Sequence, residues 1–257
     1  MINKDSSMRA TIMQRLRVML VTAYATLRIT IIVLYRVNLR GGYPREYGDK
    51  WLKWWAGKLV GAVRIKYVVH DPHGLEIEPG KRYIIMSNHR SHYDIPLVVL
   101  SLPGSIRMLT KKEFFRVPLW GRGLKAGEFI SIDRSDLEKA KKDLAAAREK
   151  MESGVVLWIS PEGTRSRSGR LGPFKKGGLI MAIESGATII PVGIQGTENV
   201  LRPKTTEFCF DQDVRIDIGS PIDASRFTVE QKDLLLEEVR GSIADLCGEG
   251  DCPADNK

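Results

Sequence analysis

Short β-branched runs at residues 65–70, 83–87, 106–109, 129–132, 155–160, 188–194 and 214–218 recur after residue 60, and helical stretches separate several of them. The clearest helix covers 136–152: Ser135 and Glu138 form a capping box, charges dominate one face and Gly154 follows as a terminator. A second, residues 178–185 (GLIMAIES), is almost uncharged and is expected to be buried. A third runs over about 229–246, opened by another box of Thr228 and Gln231, with Leu234, Leu235, Val239, Ile243 and Leu246 at helical spacing. This alternation predicts an α/β fold, a mixed, largely parallel sheet flanked by helices.

Residues 1–60 follow a different pattern. The stretch 18–37, VMLVTAYATLRITIIVLYRV, has the length of a membrane span. Arg28 stands near its middle, where a charge costs about 2.5–3.5 kcal/mol on insertion scales, which weighs against a simple span. Both flanks are basic, so the positive-inside rule gives no orientation, and two ends on one side suit a segment that dips in and returns. Next comes WLKWWAGKLVGAVRIK, residues 51–66, where Trp51, Trp54 and Trp55 beside lysines suit a membrane interface. The alternative is a helix whose tryptophans fill the domain's own core. The expected organisation is therefore an N-terminal membrane-binding helical motif over 1–60, a globular domain over 61–246 and a polar, frayed tail over 247–257. No cleavable leader is expected, because no small-residue cleavage site follows the first apolar stretch cleanly.

Composition narrows the function class only a little. A chain of 257 residues with 43% hydrophobic composition can bury a sizeable core, and a formal charge of +9 points to an anionic partner. Charge does not choose among nucleic acid, membrane and phosphorylated ligand. Cys209, Cys247 and Cys252 lack the spacing of a disulfide framework or a zinc site and fit a reducing compartment.

The first candidate chemistry is SNHRSHYD, residues 87–94, directly after an apolar strand. His89 and Asp94 would lie about 140° apart on a regular helix, so they can meet only across a turn. Pro96 is tolerated in a first helical turn, which places a helix start near Tyr93 to Ile95 and Asp94 at or near its N-cap. Asp94 would then accept the ring N–H of His89 and leave the other nitrogen as a base for a substrate hydroxyl. An H-x4-D match is weak alone, and His92 is a local rival whose bland reading is a partly exposed helix-start residue.

The second constellation is SPEGTRSRSGRLGPFKKGG, residues 160–178, after the strand VVLWIS. Arg165, Arg167, Arg170, Lys175 and Lys176 surround the single carboxylate of Glu162, a setting suited to phosphate; taken alone, a solvated basic loop would be the better account. Between the two blocks, Gly121, Gly123 and Gly127 do not have the spacing of a nucleotide loop, and no P-loop, HExxH or G-x-S-x-G is present.

In order and content these blocks resemble the lysophosphatidic acid acyltransferases, the 1-acyl-sn-glycerol-3-phosphate O-acyltransferase family within the wider glycerolipid acyltransferases. The match comprises Asn88-His89-Arg90-Ser91-His92-Tyr93-Asp94; Lys111-Lys112-Glu113 with Pro118 and Gly121; and Gly127 through Ile132-Asp133-Arg134. It continues with Pro161-Glu162-Gly163-Thr164-Arg165-Ser166, Phe174-Lys175-Lys176-Gly177 and Ile190-Pro191-Val192, spanning roughly residues 65–220. Two departures stand out: Ser160 where the family usually has Phe, and Glu128-Phe129 with Ser131 in the second block.

The resemblance implies a glycerolphosphate acyltransferase-like fold in which 61–246 is the catalytic domain. His89 would take the proton of a lysophospholipid's sn-2 hydroxyl as that oxygen attacks an acyl thioester, with Asp94 orienting the ring. Arg134, Glu162, Gly163, Thr164 and Arg165 would organise the acceptor's phosphate, joined by Lys111, and Glu162 would hold Arg165 or the loop. The same resemblance implies no cofactor and no metal, with acyl-CoA or acyl-carrier protein as cosubstrate. The expected setting is the cytoplasmic face of the cell membrane, with membrane lipids as partners and no nucleic acid. Rival readings are another acceptor, glycerol 3-phosphate or an amino-acid lysolipid, and a catalytically silent lipid-binding protein.

Overall fold

A computed structural model describes residues 10–132, 137–166, 169–202 and 205–249. Two long helices, α1 (Ile12–Leu39) and α2 (Arg45–Ala62), precede β1 (Lys66–His70), β2 (Tyr83–Ser87) and α3 (Asp94–Ser101). The chain continues through β3 (Ser105–Lys111), α4 (Lys112–Phe115), α5 (Trp120–Ala126), β4 (Ile130–Ile132), α6 (Leu137–Glu152) and β5 (Val155–Ile159). It ends with α7 (Gly177–Ser185), β6 (Thr188–Gln195), α8 (Thr197–Val200), β7 (Asp213–Ile218), β8 (Ile222–Asp223) and α9 (Lys232–Leu246). The short strand β8 has no counterpart in the sequence pattern, and the predicted third helix opens with a 3-10 turn over Val229–Gln231. Ser135 of the predicted capping box lies outside the described residues.

The strands form one sheet in the order β1-β7-β6-β2-β5-β3-β4, with β8 beside β6. Pairing is parallel from β6 through β4 and between β1 and β7, whereas β7 runs antiparallel to β6. The central strands β2 and β5 are buried at every position, which explains their continuous apolar runs: both faces of the sheet are covered. Ile85, Val156 and Trp158 face one apolar cluster with α1, α2 and α3, while Ile84, Met86, Leu157 and Ile159 face a second with α6, α7 and α9. Truncating a fully buried residue such as Ile85 to alanine would cost about 2–5 kcal/mol.

The N-terminal hairpin belongs to the first cluster through Val18 and Ala25 of α1 and Leu52, Ala56 and Leu59 of α2. Val33 of α1 is buried as well, but another face of the helix is open. Leu16, Leu20, Leu27, Ile31 and Tyr35 are exposed, on a helix long and apolar enough to cross a membrane. No break occurs within 18–37; the chain returns at the turn after Leu39 and through α2. Arg28, the charge that weighed against a span, is exposed yet held by aromatic partners: its guanidinium lies 4.9 Å from the Trp54 ring centre and 5.5 Å from that of Trp51, and it donates to Tyr24 Oη at 2.6 Å. The tryptophans thus face α1, with Trp55 Nε1 donating to Thr26 Oγ1 at 3.1 Å, and all three are half-buried.

Candidate active site

Two loops from neighbouring central strands make the site. β2 and β5 run parallel with Met86 opposite Ile159, so the chain leaves both at the same edge of the sheet. Past Ser87, Asn88 extends the ladder with its side chain: Nδ2 donates to Ile194 O at 2.7 Å and Oδ1 accepts the Ile194 N–H at 2.8 Å. The chain then turns, and α3 starts at Asp94 with Pro96 in its first turn, as the sequence predicts.

Asp94 is the first helical residue, and its fully buried carboxylate points back into the turn. Oδ2 lies 2.7 Å from His89 Nδ1 and accepts the backbone N–H groups of Arg90 at 2.7 Å and Ser91 at 2.8 Å. A carboxylate that takes two amide hydrogens is an acceptor, so His89 Nδ1 carries the proton and donates, leaving Nε2 as the basic nitrogen. The ring is steered from its side by Trp158, edge-on at 5.6 Å between centres, whose indole N–H is held by Ser87 Oγ at 2.9 Å.

Glu162 fixes the backbone of the same histidine. Its Oε1 accepts the His89 N–H at 3.0 Å and its Oε2 the Gly172 N–H at 2.9 Å; no hydrogen bond to Arg165 is among its described contacts. Burial raises the Glu162 pKa above the ordinary carboxylate value, against the opposing pull of these two amides. The His89 carbonyl in turn accepts the Ser166 N–H at 2.7 Å, so both backbone groups of His89 are tied to the basic loop. Gly163 adopts φ 70°, where a Cβ would press on the Lys175 side chain at 3.1 Å, and Thr164 is exposed.

Beside these loops His92 is exposed and Arg165 half-buried. His92 is exposed, yet desolvation by the protein around it, followed by the positive charge of Arg165 and by the neighbouring His89 ring, holds its pKa below the ordinary histidine value. His92 also lines an apolar cavity of about 420 Å3 between the hairpin and β3, walled by Ile29, Val33, Leu52, Met108, Leu124 and Phe129. The Lys111 side chain and Arg134 lie outside the described residues.

The sequence model of the family described as Acyltransferase matches residues 68–195, the stretch that contains both loops. The chain belongs to the acyltransferase family. A chloroplast 1-acyl-sn-glycerol-3-phosphate acyltransferase of Brassica napus is 31% identical over 205 residues, covering 79% of this chain and 57% of that protein. The 1-acyl-sn-glycerol-3-phosphate acyltransferase of Saccharomyces cerevisiae is 31% identical over 206 residues, covering 77% and 65%. The chain thus spans less than two thirds of these relatives' length. In fold it is similar to the crystal structure of the 1-acyl-sn-glycerophosphate acyltransferase of Thermotoga maritima, with a TM-score of 0.71 at 24% identity over 95% of this chain and 100% of that one.

Several contacts in this acyltransferase-family chain escaped the sequence reading. Arg90, buried inside the H-x4-D turn, donates to Glu198 at 3.3 Å and to Glu249, and the other oxygen of Glu249 accepts the Leu171 N–H at 2.9 Å. The tail therefore does not fray at once after α9: Cys247 is buried and Glu249 joins the two loops of the site. A polar composition gave no hint of this, because Glu249 contacts a residue 159 positions away. Trp158 had a signal in the strand run itself, an aromatic close to the end that opens on the site.

Proposed function

We propose that the chain transfers an acyl group from an acyl thioester to the sn-2 hydroxyl of lysophosphatidic acid, giving phosphatidic acid. The observation that carries this reading is the 2.7 Å contact of His89 Nδ1 with a fully buried Asp94, in a turn tied to a basic loop beside an apolar cavity. His89 Nε2 takes the hydroxyl proton as the oxygen attacks the thioester carbonyl. Asp94 stays ionised and stabilises the imidazolium that forms. The C–O bond forms, the C–S bond breaks, and the proton held on Nε2 passes to the departing thiolate, so neither an acyl-enzyme nor a metal is required.

Arg165, with Thr164 beside it, binds the acceptor's phosphate; Gly163, whose N–H donates to Ser160 O at 3.0 Å, shapes the loop that presents them, and Arg134 and Lys111 are assigned to the same anion by their place in the family blocks. Glu162 acts through the backbone of His89. The apolar cavity holds the hydrocarbon of a lipid substrate. Exposed apolar residues on α1 and the basic ends of the hairpin support a membrane-associated protein on the cytoplasmic face, working on lipids in the leaflet with a soluble donor, acyl-CoA or acyl-carrier protein.

The test is product analysis of the purified protein in detergent with lysophosphatidic acid and each donor in turn, with His89→Ala as control. Phosphatidic acid from the unmutated protein alone is the expected result. Equal product from a pure, folded His89→Ala would remove the base assignment, and product only with glycerol 3-phosphate or an amino-acid lysolipid would reassign the acceptor.

A further inference from the structure

The segment from Phe114 to Trp120 is apolar and open to solvent although it belongs to neither long helix. Phe114 is 42% exposed, Val117 42%, Leu119 59% and Trp120 39%. Clustered exposure of this kind on a soluble surface marks a contact with something else. Leu119 holds φ 66°, a conformation unfavourable to a side chain with a Cβ, at the corner between α4 and α5. The corner itself is fixed by Gly121, where a Cβ would stand 2.0 Å from the Phe115 carbonyl oxygen. Phe114 and Trp120 pack on one another with ring centres 5.3 Å apart, and both line the apolar cavity while remaining exposed, so they form its rim.

Position and charge identify the occupant. α5 packs against α1, and Arg122 donates to Asn38 Oδ1 at 3.0 Å near the end of that helix, which joins the segment to the element that carries the open apolar residues. Arg116, Arg122 and Lys125 are exposed around it, and Glu113 is the one acid from 112 to 126. Apolar and aromatic side chains ringed by cations suit the headgroup region of an anionic bilayer.

We infer that Phe114–Trp120 is a second lipid-contacting element, inserted beside α1, which opens the rim of the apolar cavity directly onto the membrane. The inference rests on the reading of the hairpin as membrane-associated and adds a separate element to it. An acidic protein partner would use the cations as well, but it would not account for exposed aromatic side chains at the rim of an apolar cavity that α1 also walls.

The experiment measures partition of the full chain onto vesicles of phosphatidylcholine and phosphatidylglycerol in equal parts. The Val117→Ser/Leu119→Asn double variant is expected to bind about tenfold more weakly, the effect of withholding two apolar side chains from the interface. Val68→Ser, a change at a 69% exposed residue on the edge strand β1, is expected to bind like wild type. Brominated lipid should quench the wild type more than Trp120→Phe, a readout that does not depend on the double variant's fold. Equal partition of wild type and double variant, with equal quenching of wild type and Trp120→Phe, overturns the inference alone. Failure of the wild type to bind vesicles overturns the membrane reading of the hairpin too. Loss of binding to acyl-carrier protein with unchanged partition would assign the patch to a protein and also overturn the inference.

Discussion

Asp94 holds the His89 ring and the backbone beside it with one oxygen, Oδ2, which meets Nδ1 at 2.7 Å and takes the N–H groups of Arg90 and Ser91. Asn at this position keeps an acceptor for the turn and removes the charge that supports an imidazolium. Asp94→Asn is expected to lower kcat by about 10²-fold or more with smaller changes in either KM. Asp94→Ala should in addition destabilise the fold, because buried amides lose their acceptor. Steady-state kinetics and thermal unfolding of both variants check this; a folded Asp94→Asn with near wild-type kcat would contradict the assignment.

Glu162 uses both oxygens, one on the His89 N–H and one on the Gly172 N–H. A glutamine offers one oxygen, so Glu162→Gln leaves one buried amide facing an NH2 group. The expected loss of stability is about 1–3 kcal/mol, with a fall in kcat as His89 loosens. Arg165→Ala should instead raise the acceptor KM and leave stability almost unchanged. A stability loss in Arg165→Ala equal to that of Glu162→Gln would mean that the arginine supports the loop.

Gly123 and Gly121 stand close together in α5 and should respond in opposite ways. A Cβ on Gly123 meets nothing within 4 Å, and the residue lines the apolar cavity, whereas a Cβ on Gly121 would stand 2.0 Å from Phe115 O. Gly123→Leu is expected to fold and to shift acceptance toward shorter acyl chains, read from product profiles with a donor series. Gly121→Ala is expected to destabilise the protein by at least about 2 kcal/mol, since backbone must move. An unchanged chain profile in Gly123→Leu would separate this cavity from the acyl chain.

What the sequence made legible follows the range of the interactions. Strands β2, β5 and β6 were visible because burial on both faces leaves an unbroken apolar run, and β8 was not because it is two residues long. His89 and Asp94 could be paired from the sequence because Pro96 fixes where the helix begins. The sequence tied Glu162 to Arg165 or to the loop, whereas its bond to the His89 backbone joins residues 73 apart, and no local pattern encodes it. The tryptophans of α2 were ambiguous for a physical reason: an indole that meets the Arg28 guanidinium and packs on a core is also suited to a membrane interface, and half-burial serves both.

Glu128, a departure from the family pattern in the second block, shows what such a residue can gain locally. Its carboxylate meets Arg45 at the start of α2 at 2.6 and 2.8 Å and Lys150 of α6 at 3.5 Å, joining the hairpin to the edge of the sheet. The Arg45 hydrogen bonds, then the charges of Arg45, Lys150 and Arg107, outweigh desolvation and hold its pKa below the ordinary value of 4.5. A depressed carboxylate stabilises the fold above the unfolded-state pKa, and that contribution is lost as pH falls through the lower, folded-state value. Glu128→Gln is therefore expected to be less stable than wild type by about 1 kcal/mol at pH 7, a figure kept small because the pair is partly exposed. The gap should hold down to about pH 5.5 and close as the solution is acidified below the ordinary glutamate range. Urea midpoints of both proteins across this range are the measurement. A gap that stays constant through pH 3, or widens there, would show that Glu128 acts by packing and not by its charge.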